Sequence, residues 1–337
     1  MSNPVFRQAA KAAGLIGLPL ALVALLGATV ASSADERVIV SFLITVSLAL
    51  AIQSFSGLTG ILSFGHVAFL GIGAYVGALL TIPSGIKATV APGLPSFVLD
   101  AQLSLWVTLP IAFIVAGTVA GVIGLVFARM EPTAMAMATV SLLLIFGVLL
   151  QAADDLTGGS QGLYAIPQAT TMSSALLVAV LMVFVTQMFE RSRAGLQLKA
   201  SRSAPLAAES LGVRLIRLRW LAWTLAGALI GLAGAVWAGY AIAFSPGQFD
   251  FDLTFSLLAA LVVGGIASVT GTVAGAALLT VAFEGMRRLE ESVAIEGLTQ
   301  ISVAILILVV LYFFPRGLLG TAELPELLQR DRQAGHS

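Results

Sequence analysis

The sequence predicts an all-α polytopic membrane protein with about ten transmembrane segments, some of them broken or re-entrant where glycine accumulates. Three observations carry that reading. The chain is 58% hydrophobic and only 10% charged, against about 25% charged residues in an average soluble domain. Its mean hydropathy is +1.02. Apolar runs long enough to cross a hydrocarbon core of about 30 Å recur from end to end, separated by short polar stretches rich in glycine, proline and charge.

The first run, Gly14 to Ala31, follows Arg7 and Lys11 and precedes a small-residue stretch at 31–34. A basic start, an apolar core and small residues also describe a cleaved signal peptide, but about 18 apolar residues are enough for a retained helix. The turn Asp35, Glu36, Arg37 is then outside, and Val38 to Phe55 returns inward.

Gln53 to Tyr75 is chemically unlike a lipid-facing helix. Gln53, Ser54, Ser56, Thr59, Ser63 and His66 alternate with Gly57, Gly60, Gly65, Gly71 and Gly73. Irregular backbone and polar side chains at membrane depth are tolerated where they are buried in protein or line a water-filled cavity. The stretch reads as a broken, re-entrant segment bordering a solute route and leading into a helix from Val67 to Ile82. The competing reading is close helix packing through small residues.

Residues 83–102 contain Pro83, Pro92 and Pro95 and read as an external loop. Leu103 to Ala128 crosses inward, Arg129, Glu131 and Pro132 turn, and Ala134 to Gln151 goes out. Asp154, Asp155 and TGGSQGLYAIP from Thr157 to Pro167 form a second external loop, its glycines permitting tight turns. Ser174 to Phe189 comes back.

The stretch Glu190 to Arg219 is the main polar interruption, with seven basic residues against two acidic ones. The positive-inside rule makes it cytoplasmic. Within it LAAESLGV predicts a short helix, with Pro205 in the first turn and Gly212 as the stop. Such a helix is a handle for a soluble partner.

Trp220 to Ala243 carries Gly227, Gly231 and Gly234 on a small-residue face. Phe255 to Phe283 is broken by Gly264, Gly265, Ser268, Thr270 and Gly271. Each half covers only about 20 Å, so two passes fit better than one. That parity places the acidic loop Glu284 to Gly297 outside and, after a last helix from Thr299 to Phe314, the arginine-bearing tail inside, with both termini cytoplasmic. Gly60-Ile-Leu-Ser63 also resembles Gly265-Ile-Ala-Ser268, a local match of the kind seen between the halves of transporters.

Several chemistries are disfavoured. Zero net charge argues against a nucleic-acid partner. No cysteine and two histidines argue against disulfide, thiol and metal chemistry, and no cofactor is expected. There is no phosphate-binding loop of the Gly-x-x-x-x-Gly-Lys-Ser/Thr type, no carboxylate relay at membrane depth, and no nucleophile and base pairing for an intramembrane hydrolase. A stand-alone channel or secondary carrier for a small neutral solute explains the polar glycine-rich segments but not the basic helical loop.

The motifs taken together resemble one family. SGLTGILSFGHVAFLGIGAY, TGGSQGLYAIP, GLQLKASRSAPLAAESLGV, SPGQFDF, VVGGIASVTGTVAGAALL and PRGLLG are collinear from about residue 50 to 320. They resemble the LivM-type permeases of branched-chain amino acid ABC importers, which are of the type II importer kind. The resemblance implies a single transmembrane permease domain over 1–337, with 190–219 as cytoplasmic coupling loop and 315–337 as cytoplasmic tail, in a bacterial inner membrane. It implies a non-enzymatic subunit working with a sister permease of LivH type, two ABC ATPase subunits and a solute-binding protein, in contact with membrane lipid. Carried over by position, Ala200, Arg202, Ala207, Ala208, Glu209, Leu211 and Gly212 would seat on an ATPase. The passage would be bordered by Gln53, Ser56, Thr59, Ser63, His66, Gly264, Gly265, Ser268, Thr270 and Gly271. The cargo implied is a branched-chain or other neutral amino acid, with urea or a short amide as the alternative. Ser203-Ala204-Pro205 departs from the family, which often has acidic residues after the arginine.

Overall fold

The computed structural model describes residues 4–30, 33–293 and 297–320. Among them the chain forms α-helices, two 3₁₀ turns and one isolated antiparallel bridge, Leu163 to Phe244. The helices are α1 (Pro4–Val30), α2 (Ser33–Thr59), α3 (His66–Thr81), α4 (Ser84–Val90), α5 (Ser96–Leu99), α6 (Leu105–Phe127), α7 (Pro132–Ala152), α8 (Asp154–Thr157) and α9 (Met172–Glu190). They continue with α10 (Arg193–Ser201), α11 (Pro205–Ser210), α12 (Leu215–Ala241), α13 (Phe251–Gly264), α14 (Val269–Val293) and α15 (Leu298–Phe313).

Among the described residues eight stretches are long and apolar enough to cross a membrane: those in α1, α2, α6, α7, α9, α12 and α14, and Pro246–Gly264, which contains α13. The apolar helices α3 and α15 have 16 residues each, about 24 Å at 1.5 Å per residue. All of these helices fall on the apolar runs expected from hydropathy and glycine breaks, eight of them long enough to cross where about ten crossings were expected. The chain is an all-α, multi-pass membrane protein. Trp106 at the start of α6 and Tyr312, Phe313 and Phe314 at the end of α15 are exposed, as aromatic residues are at membrane interfaces.

The chain divides into two compact units, residues 1–53, 176–192 and 256–337 in the first and 54–175 and 193–255 in the second. In the second unit α12 packs most extensively on α6 and α3. Small residues make this possible: a Cβ on Gly227 would lie 2.3 Å from the Ala120 methyl, one on Gly231 2.2 Å from that of Ala116, and one on Gly234 2.3 Å from the Leu70 carbonyl oxygen. Lipid tails are as apolar as leucine, so such helices associate through close van der Waals packing rather than hydrophobic burial. The expected small-residue face of 220–243 is therefore the centre of this unit.

At one end of the second unit the two glycine-bearing loops meet neighbours remote in sequence. The Gly93 N–H donates to Asp155 O at 2.8 Å, Leu163 and Phe244 exchange two backbone bonds, and Ile166 N–H donates to Ile242 O. Gly158, Gly159 and Gly162 all have positive φ, which explains the glycines of this loop. In the first unit, Arg288 of α14 pairs with Asp35 in the first turn of α2 at 2.7 Å. The 35–37 turn and the end of α14 thus share one end, as the two-pass count for 255–283 requires.

The structure differs from expectation in four places. The 83–102 loop contains α4 and α5, held by Lys87, whose buried Nζ donates to Val98 O (2.9 Å) and to Ala101 O. The 190–219 stretch is mostly helical: α10 precedes the predicted helix, and α12 starts at Leu215, before the apolar run. Glu284 to Val293 belongs to α14 rather than to a loop, because Glu284 with Arg287 and Arg288, and Arg287 with Glu291, form ion pairs three and four residues apart, and such pairs support a helix beyond its apolar part. Finally, α2 stays helical through Ser54, Ser56 and Gly57, so the break is confined to 60–65. Residues 321–337, including Arg330, Arg332 and His336, lie outside the described residues, as do Ala31 and Glu296.

Candidate functional site

The first break begins where Gly60 takes a φ of 74°. Its N–H donates to Ser56 O, and Thr59 Oγ1 donates to Phe55 O while accepting from Ile61 N–H. The chain then turns through Ser63 into His66, the first residue of α3. Phe64 N–H donates to Thr139 Oγ1 at 3.1 Å, and a Cβ on Gly65 would sit 2.8 Å from Thr139 O, so α7 holds the turn in place.

His66 is fully buried. Its Nδ1 is hydrogen-bonded to Ser63 Oγ at 2.6 Å, and its ring packs 4.4 Å from Trp223, 5.5 Å from Phe55 and 6.0 Å from Phe69. Nε2 has no protein partner, and neither do the buried Ser56 Oγ, the Trp223 indole N–H or the amide of Gln53. Gln53 and Ser56 are one turn apart on α2 and share a face. Aromatic Trp223 is the part of this cluster that the sequence does not announce, because a tryptophan in an apolar run reads as ordinary core.

The second break is built alike. α13 ends at Gly264, Gly265 takes a φ of 118°, and three positions later Ser268 is fully buried. Its Oγ accepts from Gly271 N–H at 3.0 Å, and its carbonyl accepts from Thr272 Oγ1. Gly264 and Gly271 touch through backbone: a Cβ on Gly264 would lie 1.9 Å from Gly271 O. Thr270 is half-buried at the start of α14. Each break is therefore a helix end, a positive-φ glycine, two residues, and a buried serine that bonds the residue three positions on.

The segment after α15 reaches the second break. Leu318 N–H donates to Val263 O at 2.8 Å and Leu319 N–H to Gly264 O at 3.1 Å. These are terminal carbonyls of α13, which lack intrahelical partners. A Cβ on Gly317 would lie 2.5 Å from Gly265 N, and one on Gly265 would lie 2.6 Å from Gly320 O. The motif PRGLLG is thus a clasp whose glycines permit backbone contact.

Of the sequence-predicted pathway residues, Ser56, Thr59, Ser63 and His66 lie in the second unit, and Gln53, Gly264, Gly265, Ser268, Thr270 and Gly271 in the first. Two surface grooves contain none of them. One, of about 610 Å³, lies between α1 and α9, and the other, of about 760 Å³, between α6 and α12; both are apolar.

In the polar segment Pro205 opens α11. The helix closes with Gly212 N–H donating to Glu209 O and Val213 N–H to Ala208 O, with Gly212 at a φ of 82°. This is a Schellman stop, and it is why glycine is needed there. Ala200, Ala207 and Glu209 are exposed; Leu211 is 85% exposed and Leu206, which sequence reasoning passed over, 82%. Ala208 is buried against its own chain. Arg202 is exposed as well, and its side chain reaches the first break: Nη1 donates to Gly57 O at 3.3 Å.

Comparison with known proteins matches residues 36–314 to the family described as branched-chain amino acid transport system, permease component. The chain belongs to that family. The permease is 27% identical over 326 residues, 87% of its own length and 71% of the relative's, to the high-affinity branched-chain amino acid transport system permease protein LivM of Salmonella typhimurium. It is 28% identical over 330 residues to the protein of the same name from Escherichia coli, covering 86% and 74% of the two chains. A probable branched-chain amino acid transport permease protein LivH of Methanocaldococcus jannaschii is 23% identical over half of the permease. No solved structure matches.

Proposed function

We propose that the permease is the translocating subunit of an ATP-driven importer in a bacterial inner membrane, with both described chain ends facing the cytoplasm. It takes a branched-chain or other neutral amino acid from a solute-binding protein and works beside a sister permease and two ATPase subunits. The observation that carries this reading is α11: outside the apolar spans, Leu206 and Leu211 stand almost fully exposed in a polar segment whose Arg193, Arg214 and Arg217 are exposed too. Exposed apolar side chains rimmed by charge mark a protein partner, and here one with acidic residues around an apolar cleft.

Ala200, Ala207, Glu209 and Gly212 complete that seat, Gly212 by ending the helix. The passage is bordered by Gln53, Ser56, Thr59, Ser63 and His66 and by the Gly264, Gly265, Ser268, Thr270, Gly271 break. Buried polar atoms without partners support this, since each costs about 1–3 kcal/mol unless another state or a solute satisfies it. The names of the relatives support the class of cargo.

The test is uptake of labelled leucine into proteoliposomes. The permease reconstituted with its sister, ATPase and binding-protein subunits is expected to accumulate leucine only with ATP. Uptake by the permease alone, without ATP, overturns the reading in favour of a channel or carrier.

A further inference from the structure

We propose that Arg202 is a positioning residue that transmits movement of the 193–212 segment to the Gly60–Gly65 break, and so to α3. This rests on the importer reading above. Arg202 lies on the turn between α10 and α11, where its N–H donates to Lys199 O, and the preceding Ser201 is buried with its hydroxyl bonded to Leu198 O. A load on exposed Leu206 or Leu211 is therefore applied to the helix that starts three residues after Arg202.

The far end of the side chain is fixed to the break. Nη1 bonds the Gly57 carbonyl, 145 residues away in sequence, in the last turn of α2. Terminal carbonyls of a helix lack intrahelical partners, and a cation there also meets the negative end of the helix dipole. The stem is wedged as well: a Cβ on Gly60 would lie 2.8 Å from both Cγ and Nε of Arg202. Arginine fills the volume that a side chain at 60 would take, and glycine at 60 serves both the φ of 74° and this wedge.

Beyond Gly60 the chain has little slack. Thr139 holds Phe64, Ser63 is bonded to His66, and α3 is locked on α12 by the contact of Gly73 with Gly231. Displacement of Arg202 is thus passed to the turn that carries Ser63 and His66.

Two measurements test this. The first is a double-mutant cycle on the melting temperature of the purified permease: Gly60→Ala and Arg202→Ala each lower it, and the double variant loses less than the sum, because the new Cβ then has room. Additive losses overturn the wedge. The second is leucine taken up per ATP hydrolysed by the full reconstituted complex. Arg202→Gln is expected to lower that ratio by about 5-fold or more, the lower end of coupling between linked sites, with Arg202→Lys restoring most of it. Since the chain has no cysteine, a spin label on Leu62→Cys, in the break, is expected to change mobility on adding ATP in the parent and not with Arg202→Gln. A wild-type ratio and an unchanged label response in Arg202→Gln overturn the proposal while leaving the importer reading intact. Uptake without ATP by the parent overturns both.

Discussion

Gly73 and Gly231 meet backbone to backbone: a Cβ on Gly73 would lie 1.9 Å from the Gly231 carbonyl oxygen. No rotamer change relieves such a contact, because the obstructing atom is main chain. Gly73→Ala is therefore expected to part α3 from α12 and to destabilise by at least the 1–3 kcal/mol typical of overpacking. Gly147 is the control. It has nothing within 4 Å of an added Cβ, and Gly147→Ala in the middle of α7 is expected to be neutral or to stabilise by up to about 1 kcal/mol. Melting curves of both variants in detergent check the contrast.

The clasp gives a second expectation. Gly317→Val places a side chain where the Gly265 N stands, 2.5 Å from the first added carbon. It is expected to release Leu318 and Leu319 from Val263 O and Gly264 O, leaving two helix-end carbonyls unpaired at about 1 kcal/mol or more each. Faster amide exchange of 318–319 together with a lower melting temperature is the signature; protection at the wild-type level would refute the clasp.

His66 separates stability from transport. Ser63→Ala removes the partner of Nδ1 and is expected to cost about 1–3 kcal/mol. His66→Phe removes both ring nitrogens together, including the unpartnered Nε2, and a phenyl ring suits the cage of Phe55, Phe69 and Trp223. It is expected to lower leucine uptake by the complex, and when combined with Ser63→Ala, which removes the buried hydroxyl that His66→Phe alone would orphan, to hold or raise the melting temperature relative to Ser63→Ala. Uptake at the parent level in His66→Phe would remove this residue from the passage.

Lys87 bridges α4 to the carbonyls of Val98 and Ala101. Lys87→Met leaves Ala101 O without its donor, while Val98 O keeps the Ala101 N–H, and is expected to destabilise by about 1–3 kcal/mol. Burial, opposed by the charge of Asp100, lowers its pKa below the ordinary lysine value. The unfolded chain then holds this proton to higher pH than the folded one, so the desolvation cost is present below the folded pKa and is relieved as pH rises through the interval up to the unfolded value. Between that folded pKa and about 10.4 the parent is expected to gain stability with pH relative to Lys87→Met. Parallel melting curves for the two proteins would refute this.

At the seat, Leu206→Gln and Leu211→Gln are expected to keep the melting temperature and lose the ATPase subunits on affinity purification from membranes. Glu209→Ala is expected to keep the subunits and lower uptake per ATP. Gly212→Ala adds the strain of a φ of 82°, about 1 kcal/mol, and is expected to fray the end of α11 and to act in the same direction. Unchanged subunit recovery in both leucine variants would move the seat elsewhere.

The apolar helices, the two broken stretches and the Pro205 to Gly212 helix were legible in the sequence, because hydropathy, glycine clusters and capping residues are local signals. So was the small-residue face of Gly227, Gly231 and Gly234. Helices beyond the apolar runs were not: α10, the first turn of α12 and the end of α14 are written in ion pairs and amphipathic spacing, which an eye set for hydropathy passes over. Lys87, buried in a loop that proline marks as irregular, gave no signal at all.

Amino-acid order alone was enough to show that this chain lives in a membrane, where its apolar helices run and near which glycines they break, since each depends on a few neighbouring residues and the thickness of the lipid. Only the tertiary structure decided what closes those breaks. Arg202 on Gly57, Leu318 and Leu319 on the end of α13, and Trp223 on His66 join residues far apart in the chain, and such partnerships come from packing, which no local pattern encodes.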